Sequence, residues 1–278
     1  MAKLQDLAAR SRLLWLDYTD YATNLLANGQ APWLDTAACV AWVRKAQSLL
    51  RSDVVMLPMG EVAAAWLDAH PAALEAMAAK KRRVAAPLRA LLADEGLRIR
   101  LVDLALALRA AFAQTPLVLA CPSPRRWVAW ASARCTAGEA VEIDDDAVDA
   151  AASYMADFLR VFSQCGVDAV LLEESAETEP TSAAAVKLYQ PLFNLAAHYR
   201  WDIGLRLPQA TQYTQPTDGP GFVITPRVLA APMLGLALPP PCWDTAPAPE
   251  CPHGGFRFAT VPAAAQPETV LARLAAWR

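Results

Sequence analysis

Two acidic residues, Glu173 and Glu174, stand directly after the apolar run from Val167 to Leu172. A carboxyl group at the end of a buried parallel strand can orient a substrate or exchange a proton with it, and strand carboxyl ends are where α/β folds gather reactive groups. Successive strand residues point to opposite faces, so one of the two faces the site and the other turns away. A cap on the following helix is the alternative role for either. Cys121 and Ser123 follow a second apolar run, Leu117 to Ala120, and supply a thiol and a hydroxyl. Arg125 and Arg126 come next, each with a guanidinium suited to a carboxylate or phosphate; pairing at the surface explains them equally well. Arg206, near the end of the run DIGLRL, is a better-placed cation, because a long charged side chain seldom sits in a strand without a partner. Glu173 or Glu174 could equally be that partner, giving a structural ion pair. Cys242, Cys251 and His253 are candidate metal ligands late in the chain, and Glu173 or Cys121 completes that set only if the late loop folds over the site. His70 and His198 sit at helix ends and read as structural.

The elements that position these residues follow from periodicity. Leu117–Ala120 is too short and too uniformly apolar for a helix and reads as a buried parallel strand. Asp144, Asp145 and Asp146 then precede Val148, Ala151, Met155, Phe158, Leu159 and Phe162 at helical spacing, with Gly166 after the last turn: a capped helix with one buried face. Val167–Leu172 is the next strand, so strand, helix and strand form a right-handed crossover unit. Upstream, residues 1–50 are expected to be helical, with Leu13, Leu14, Leu16 and Tyr18 in one segment and Ala41 to Leu50 in another. Asp53–Leu57 reads as the first strand, followed by helices from Glu61 to Ala69 and from Pro71 to about Leu92, the second carrying the basic run Lys80–Arg83 on a solvated face. Leu97–Val102 reads as a strand or as the start of a helix reaching Phe112. Downstream, Ser182–Tyr199 is expected to be helical despite Pro191, Ile203–Leu207, Val223–Ile224, Leu234–Leu238 and Phe256–Val261 are strands, and Pro267–Trp277 is a closing helix. Gln209–Gly221 and the proline-rich Pro239–Gly255 are long connections of the kind that line a functional mouth.

At 278 residues and 55% hydrophobic side chains, the chain can bury one large core, and residues 1–278 are read as a single α/β domain. A net charge of −3, with no basic stripe, gives no electrostatic footprint for nucleic acid. Lys3, Asp6, Arg10, Arg12 and Asp17 interrupt the opening segment, and no uncharged run reaches membrane-spanning length, so a cytoplasmic protein with no membrane partner is expected. Six cysteines in a chain of this size suit reduced thiols, although Cys242 and Cys251 are near enough in sequence to pair if oxidised. Abundant Ala and a preference for Arg over Lys suggest a GC-rich bacterial genome. A P-loop, a GxGxxG fingerprint, a GxSxG elbow and an HExxH helix are all absent, which counts against ATP, dinucleotide and common hydrolase chemistry.

Three segments carry a resemblance. TPLVLACPSPRRWVAWAS resembles the segment of the uroporphyrinogen decarboxylase superfamily in which a strand "PLIGF" runs into a Gly/Pro turn and a helix beginning with Trp. ASYMADFLRVFSQCGVDAVLLEES resembles that superfamily's helix and its strand ending in an acid and Ser, and KLYQPLFNLAAHY resembles its helix with a mid-helix proline. The resemblance spans roughly Pro116 to Leu207 and implies an α/β fold of the TIM (β/α)8 type, here short and irregular on its N-terminal side. The superfamily also includes cobalamin-independent methionine synthases and zinc-dependent corrinoid or coenzyme M methyltransferases. The decarboxylases use an "RQAGRY" motif and an Asp in "FSD"; here Trp15-Leu16-Asp17-Tyr18 and Leu57-Pro58-Met59 stand in the nearest places, which argues against the decarboxylase reaction. The methyltransferases bind zinc through His-x-Cys and a distant Cys, whereas Cys251-Pro252-His253 has the reverse order.

The resemblance implies methyl or one-carbon transfer on a small substrate. Glu173 or Glu174 would orient the substrate, with Cys121 as a reactive thiol, Ser123, Arg125 and Arg206 as substrate-binding groups, and Cys242, Cys251 and His253 as zinc ligands. The partner implied is a small molecule or a corrinoid-bearing protein, and assembly into an oligomer is left open. The alternative expectation is a catalytically degenerate barrel that serves as a binding or accessory subunit.

Overall fold

The computed structural model describes residues 4, 8, 13–79, 83–136, 141–176, 179–180 and 182–278. Eight short apolar runs form its strands: β1 (Leu14–Asp17), β2 (Val55–Pro58), β3 (Leu117–Pro122), β4 (Ala169–Glu173), β5 (Asp202–Arg206), β6 (Phe222–Thr225), β7 (Leu234–Ala237) and β8 (Phe256–Thr260). All neighbours pair in parallel, in the order β1-β8-β7-β6-β5-β4-β3-β2, and helices wrap the outside. This is a nearly closed TIM-like α/β barrel. Its seam lies between β1 and β2, where Leu14 N–H donates to Asp53 Oδ2 (2.7 Å), Leu16 N–H donates to Ser52 Oγ (3.0 Å) and Asp53 N–H donates to Leu14 O (3.1 Å). The backbone donors that an open edge would leave unpaired are thereby satisfied.

The described helices are unevenly spread. α1 (Thr19–Ala27) and α2 (Thr36–Leu50) follow β1; α3 (Met59–Ala69), α4 (Pro71–Ala78), α5 (Ala86–Leu92) and α6 (Glu95–Ala111) follow β2; α7 (Pro124–Cys135) and α8 (Asp145–Leu159) follow β3; α9 (Ala183–Lys187) and α10 (Gln190–Tyr199) follow β4; α11 (Pro267–Trp277) closes the chain. Among the described residues no α-helix joins β5 to β6, β6 to β7 or β7 to β8, where loops and one 3-10 turn, Pro240–Trp243, make the connections. The expected irregularity on the N-terminal side is thus present as the seam, and a second irregularity lies in the C-terminal half.

Several expectations are corrected. The segment with Leu13, Leu14, Leu16 and Tyr18, expected to be helical, contains the strand β1: Leu14, Trp15 and Leu16 are buried, on both faces, which is the signature of a barrel strand rather than of an amphipathic helix. Of the two readings of Leu97–Val102 the helical one holds: the segment belongs wholly to α6, capped by the Asp94 carboxylate on Leu97 N–H and buried through Leu97, Leu101, Leu104 and Leu108. The helix expected through Pro191 is two helices, with Pro191 in the first turn of α10, where its missing N–H costs nothing. Pro71–Leu92 is likewise split, and Lys80, Lys81 and Arg82 of the basic run lie outside the described residues.

Inside the barrel an aromatic plug fills the space. Trp15 packs on Phe222, Phe256 and Phe258 with ring centroids 5.9, 5.8 and 5.9 Å away. Glycine in β5 makes room for it: a Cβ at Gly204 would stand 2.1 Å from the Phe222 ring. Outside the strands, the larger core buries the inner faces of the helices.

Candidate functional site

The carboxyl ends of the strands form one face of the barrel, and alternation selects which residues reach it. Trp15, Leu171 and Phe258 belong to the interior cluster. Asp17, Glu173 and Thr260, each two positions further on, therefore point into the mouth, and Arg206 stands in register with Glu173. The Arg206 guanidinium binds Glu173 Oε1 at 2.8 Å and Asp17 Oδ2 at 3.2 Å through one nitrogen and Thr260 Oγ1 at 2.9 Å through another. It lies 4.7 Å from the centre of the Phe258 ring, which serves as a floor. The side chains of Arg206, Asp17 and Glu173 remain 23%, 20% and 17% exposed, so the network is reachable from solvent.

Glu61 completes the acidic side. Gly60 lies against the Pro122 ring, where a Cβ would stand 2.7 Å from Cγ, and this close approach seats the start of α3 on the end of β3. Glu61 thereby lines a cavity of about 230 Å³ shared with Arg126, Trp127, Trp130 and Glu173. Glu61 keeps part of its surface in solvent, and partial burial against these walls together with the negative charges of Asp17, Asp20 and Glu173 pushes its pKa up to about 8, against the opposing charge of Arg126. Burial also raises the Glu173 carboxyl, with Asp17 adding to the effect and Arg206 and Arg126 opposing it. Across the Arg206–Glu173 pair a second cavity of about 410 Å³ opens, lined by Leu207, Ile224, Leu238, Pro240, Trp243 and Phe258 among others. Of the two long connections, Pro239–Gly255 supplies Pro239, Pro240 and Trp243 to this wall, whereas Gln209–Gly221 supplies none of its lining.

No protein-family model and no curated protein matches this sequence. The site therefore has to be read from its own geometry.

Of the residues singled out in the sequence, the structure brings Glu173 and Arg206 together as an ion pair in the mouth. Glu174 turns to the other face, 3% exposed, and accepts hydrogen bonds from Ser123 Oγ (2.6 Å) and Tyr189 Oη (2.5 Å). Burial pushes its pKa up to about 7 even though Ser123 and Tyr189 favour the charged form. Ser123 also caps α7 by accepting from Arg126 N–H at 3.1 Å, so Ser123 and Glu174 tie β3, β4 and α10 together behind the mouth. Of the acidic pair, Glu173 is thus the one that faces the mouth, as strand alternation requires, and Ser123 and Glu174 lie outside the barrel. Arg125 is anchored to Ile143 O and Asp145, away from the mouth, whereas Arg126 lines it. Cys121, proposed as a reactive thiol, is completely buried in the layer between strands and helices, and burial raises its pKa well above the ordinary thiol range, which keeps it protonated.

The expected zinc set does not assemble. Cys242 is buried in the 3-10 turn after β7 with its thiol directed at Pro247 O, while Cys251 lines a cavity with Leu13 and Phe256 at the opposite, N-terminal ends of β1 and β8. Among the described residues no group of three or more His, Cys, Asp and Glu side chains is placed to hold a metal ion. These three residues do not fit the metal that the resemblance implies. Asp17, Glu61 and Thr260 were not singled out. For Asp17 the signal was present, since LLWLD ends an apolar run in a carboxylate just as VLLE does.

Proposed function

We propose that this chain is an enzyme of the uroporphyrinogen decarboxylase and methionine synthase type of barrel, transferring a methyl or other one-carbon group on a small substrate bound in the strand-end mouth. The observation that carries this reading is the juxtaposition of Glu173, fixed by Arg206, with Glu61 across one small cavity. Transfer of a methyl group from an N-methyl or O-methyl donor to an acceptor X–H forms an X–C bond, breaks the donor's bond to carbon, and requires one proton to leave X and one to arrive on the donor's leaving atom. At neutral pH Glu61, with its pKa near 8, retains a proton that it can give to the leaving atom. Glu173, held beside Arg206, is the acceptor for the proton lost from X. Two neighbouring carboxyl groups, one paired with a guanidinium and the other not, can divide acid and base roles in this way. No step is assigned to a metal.

The test is turnover. Wild-type protein and a Glu61→Gln variant are each incubated with a bacterial small-metabolite extract and followed by mass spectrometry. A pair of compounds differing by a one-carbon unit, interconverted by the wild type and at least a hundredfold more slowly by the variant, supports the proposal; the absence of any such pair, or equal rates, overturns it. A second reading, an accessory subunit, draws on Ile99 and Leu106, 55% and 46% exposed on the same face of α6. Stable association with a partner protein through that face, without turnover, favours it.

A further inference from the structure

The mouth has two compartments of opposite character, and together they specify a class of ligand. On one side, the carboxyl groups of Asp17, Asp20 and Glu173, with the protonated Glu61 among them, surround the approach to the barrel, against two guanidinium groups, Arg126 and Arg206. Arg206 is already engaged by two carboxylates and a hydroxyl, so an anionic ligand would bring a third anion to a spent cation. Arg126, Asp20 and Glu61 are exposed at the rim, where solvent and salt screen charge, so the inner pair Asp17 and Glu173 sets the sign of the compartment. Trp127 and Trp130 line the same compartment, and aromatic faces attract cations. On the other side, the cavity of about 410 Å³ is walled by Leu207, Ile224, Leu238, Pro240, Trp243 and Phe258, with Arg206 and Thr260 at its polar edge. That volume is in the range that holds a small organic molecule. The two compartments abut at the Arg206–Glu173 contact, 2.8 Å long.

We infer that the substrate of this site is an amphipathic organic amine, its ammonium group paired with Asp17 and Glu173 and within reach of the carbonyl oxygen of the Glu61 carboxyl group, and its apolar body in the proline- and tryptophan-walled slot. The inference rests on the reading of the mouth as the active site and names its substrate class. An amine has a chemistry suited to such a site: its ammonium form pairs with Glu173, and loss of one proton to that carboxylate exposes the nitrogen lone pair.

The experiment compares three ligands of the same shape by isothermal titration calorimetry at neutral pH: 3-phenylpropylamine, 3-phenylpropanol and 3-phenylpropionate. The amine is expected to bind at least tenfold more tightly than the alcohol, and the carboxylate most weakly. In Glu173→Gln the order of the amine and the carboxylate should reverse while the alcohol keeps its affinity, which also shows that the slot is folded. Asp17→Asn serves as an independent variant, with a smaller loss for the amine alone. Ala237→Leu, which narrows the slot, should weaken all three ligands several-fold. Equal affinities, tightest binding of the carboxylate, or no binding of any ligand would overturn the inference. Binding of the amine with no turnover by the wild type would leave this inference standing and sink the catalytic reading; turnover of a non-amine with no amine binding would do the reverse.

Discussion

Replacing Arg206 with methionine removes the cation on which the mouth is organised, and with it the guanidinium over Phe258, while keeping an unbranched apolar side chain. Glu173 and Asp17, at 2.8 and 3.2 Å from the guanidinium, would then face each other with only the exposed Arg126 to oppose their charge. Breaking a fully enclosed pair from one side costs about 3–5 kcal/mol. Exposure of about one-fifth of each of these side chains admits water and lowers the cost to about 2–3 kcal/mol. In a domain of this size each kcal/mol shifts the midpoint by about 2–4 °C, so a loss of about 5–10 °C is expected. The pH dependence gives a sharper check. Without Arg206, burial and Asp17 raise the Glu173 pKa and only Arg126 opposes them. The folded form then holds its proton to higher pH than the unfolded chain does, so stability falls as pH rises above about 4. Differential scanning calorimetry of Arg206→Met and wild type from about pH 4 to about pH 8 should therefore show a gap that is small in acid and widens upward. A midpoint loss under about 1 °C, or a gap independent of pH, would refute the claim that Arg206 organises the two carboxylates.

Further expectations concern the surrounding residues. Because the Glu61 pKa is raised to about 8, wild-type stability should decline as pH climbs from the ordinary carboxyl range through that value, and Glu61→Gln should remove the decline, so that thermal melts of the variant exceed those of wild type in mild alkali. Tyr189→Phe takes one donor from the buried Glu174 carboxylate and should cost about 1.5–3 kcal/mol in urea denaturation, with the loss growing as pH rises through the Glu174 pKa of about 7. Gly204→Ala drives a methyl group into the Phe222 ring and should cost about 1–3 kcal/mol, partly recovered in the Gly204→Ala, Phe222→Leu double variant; an unchanged denaturation midpoint would show that the plug has slack. Native-state alkylation should leave Cys121 unmodified, since it is wholly enclosed, and a fast reaction there followed by mass spectrometry would contradict its placement.

The sequence carried the barrel where its strands are long enough to have a pattern. β3, α8 and β4 were legible because an unbroken apolar run, three aspartates before a helical period, and a second run ending in Glu173-Glu174 leave little choice of element. β1 was misread because Leu13, Leu14, Leu16 and Tyr18 fit a helical stripe about as well as a short strand buried on both faces, and only pairing with β8 decides between them. The same ambiguity covered Leu97–Val102. Within the site, Arg206 was legible from the rarity of charge in a buried strand and Glu173 from its place at a strand's carboxyl end. Glu61 was not, because its place in the mouth depends on α3 seating Gly60 against Pro122, a contact between residues far apart in sequence. The late cysteines illustrate the converse: Cys242 and Cys251 are nine positions apart, but β8 must begin at the far end of the barrel from where β7 stops, so the connection carries them to opposite ends.

The central claim is that the strand-end mouth holds a carboxyl group that keeps its proton at neutral pH beside a carboxylate fixed by Arg206. Carbon-13 NMR titration of protein labelled at the glutamate carboxyl carbons tests it directly, with Glu61→Gln assigning the resonance. The account predicts that the resonance missing from the variant titrates at about 8 in the wild type. A midpoint in the ordinary carboxyl range of about 4 to 4.5 would contradict it and remove Glu61 as the proton donor.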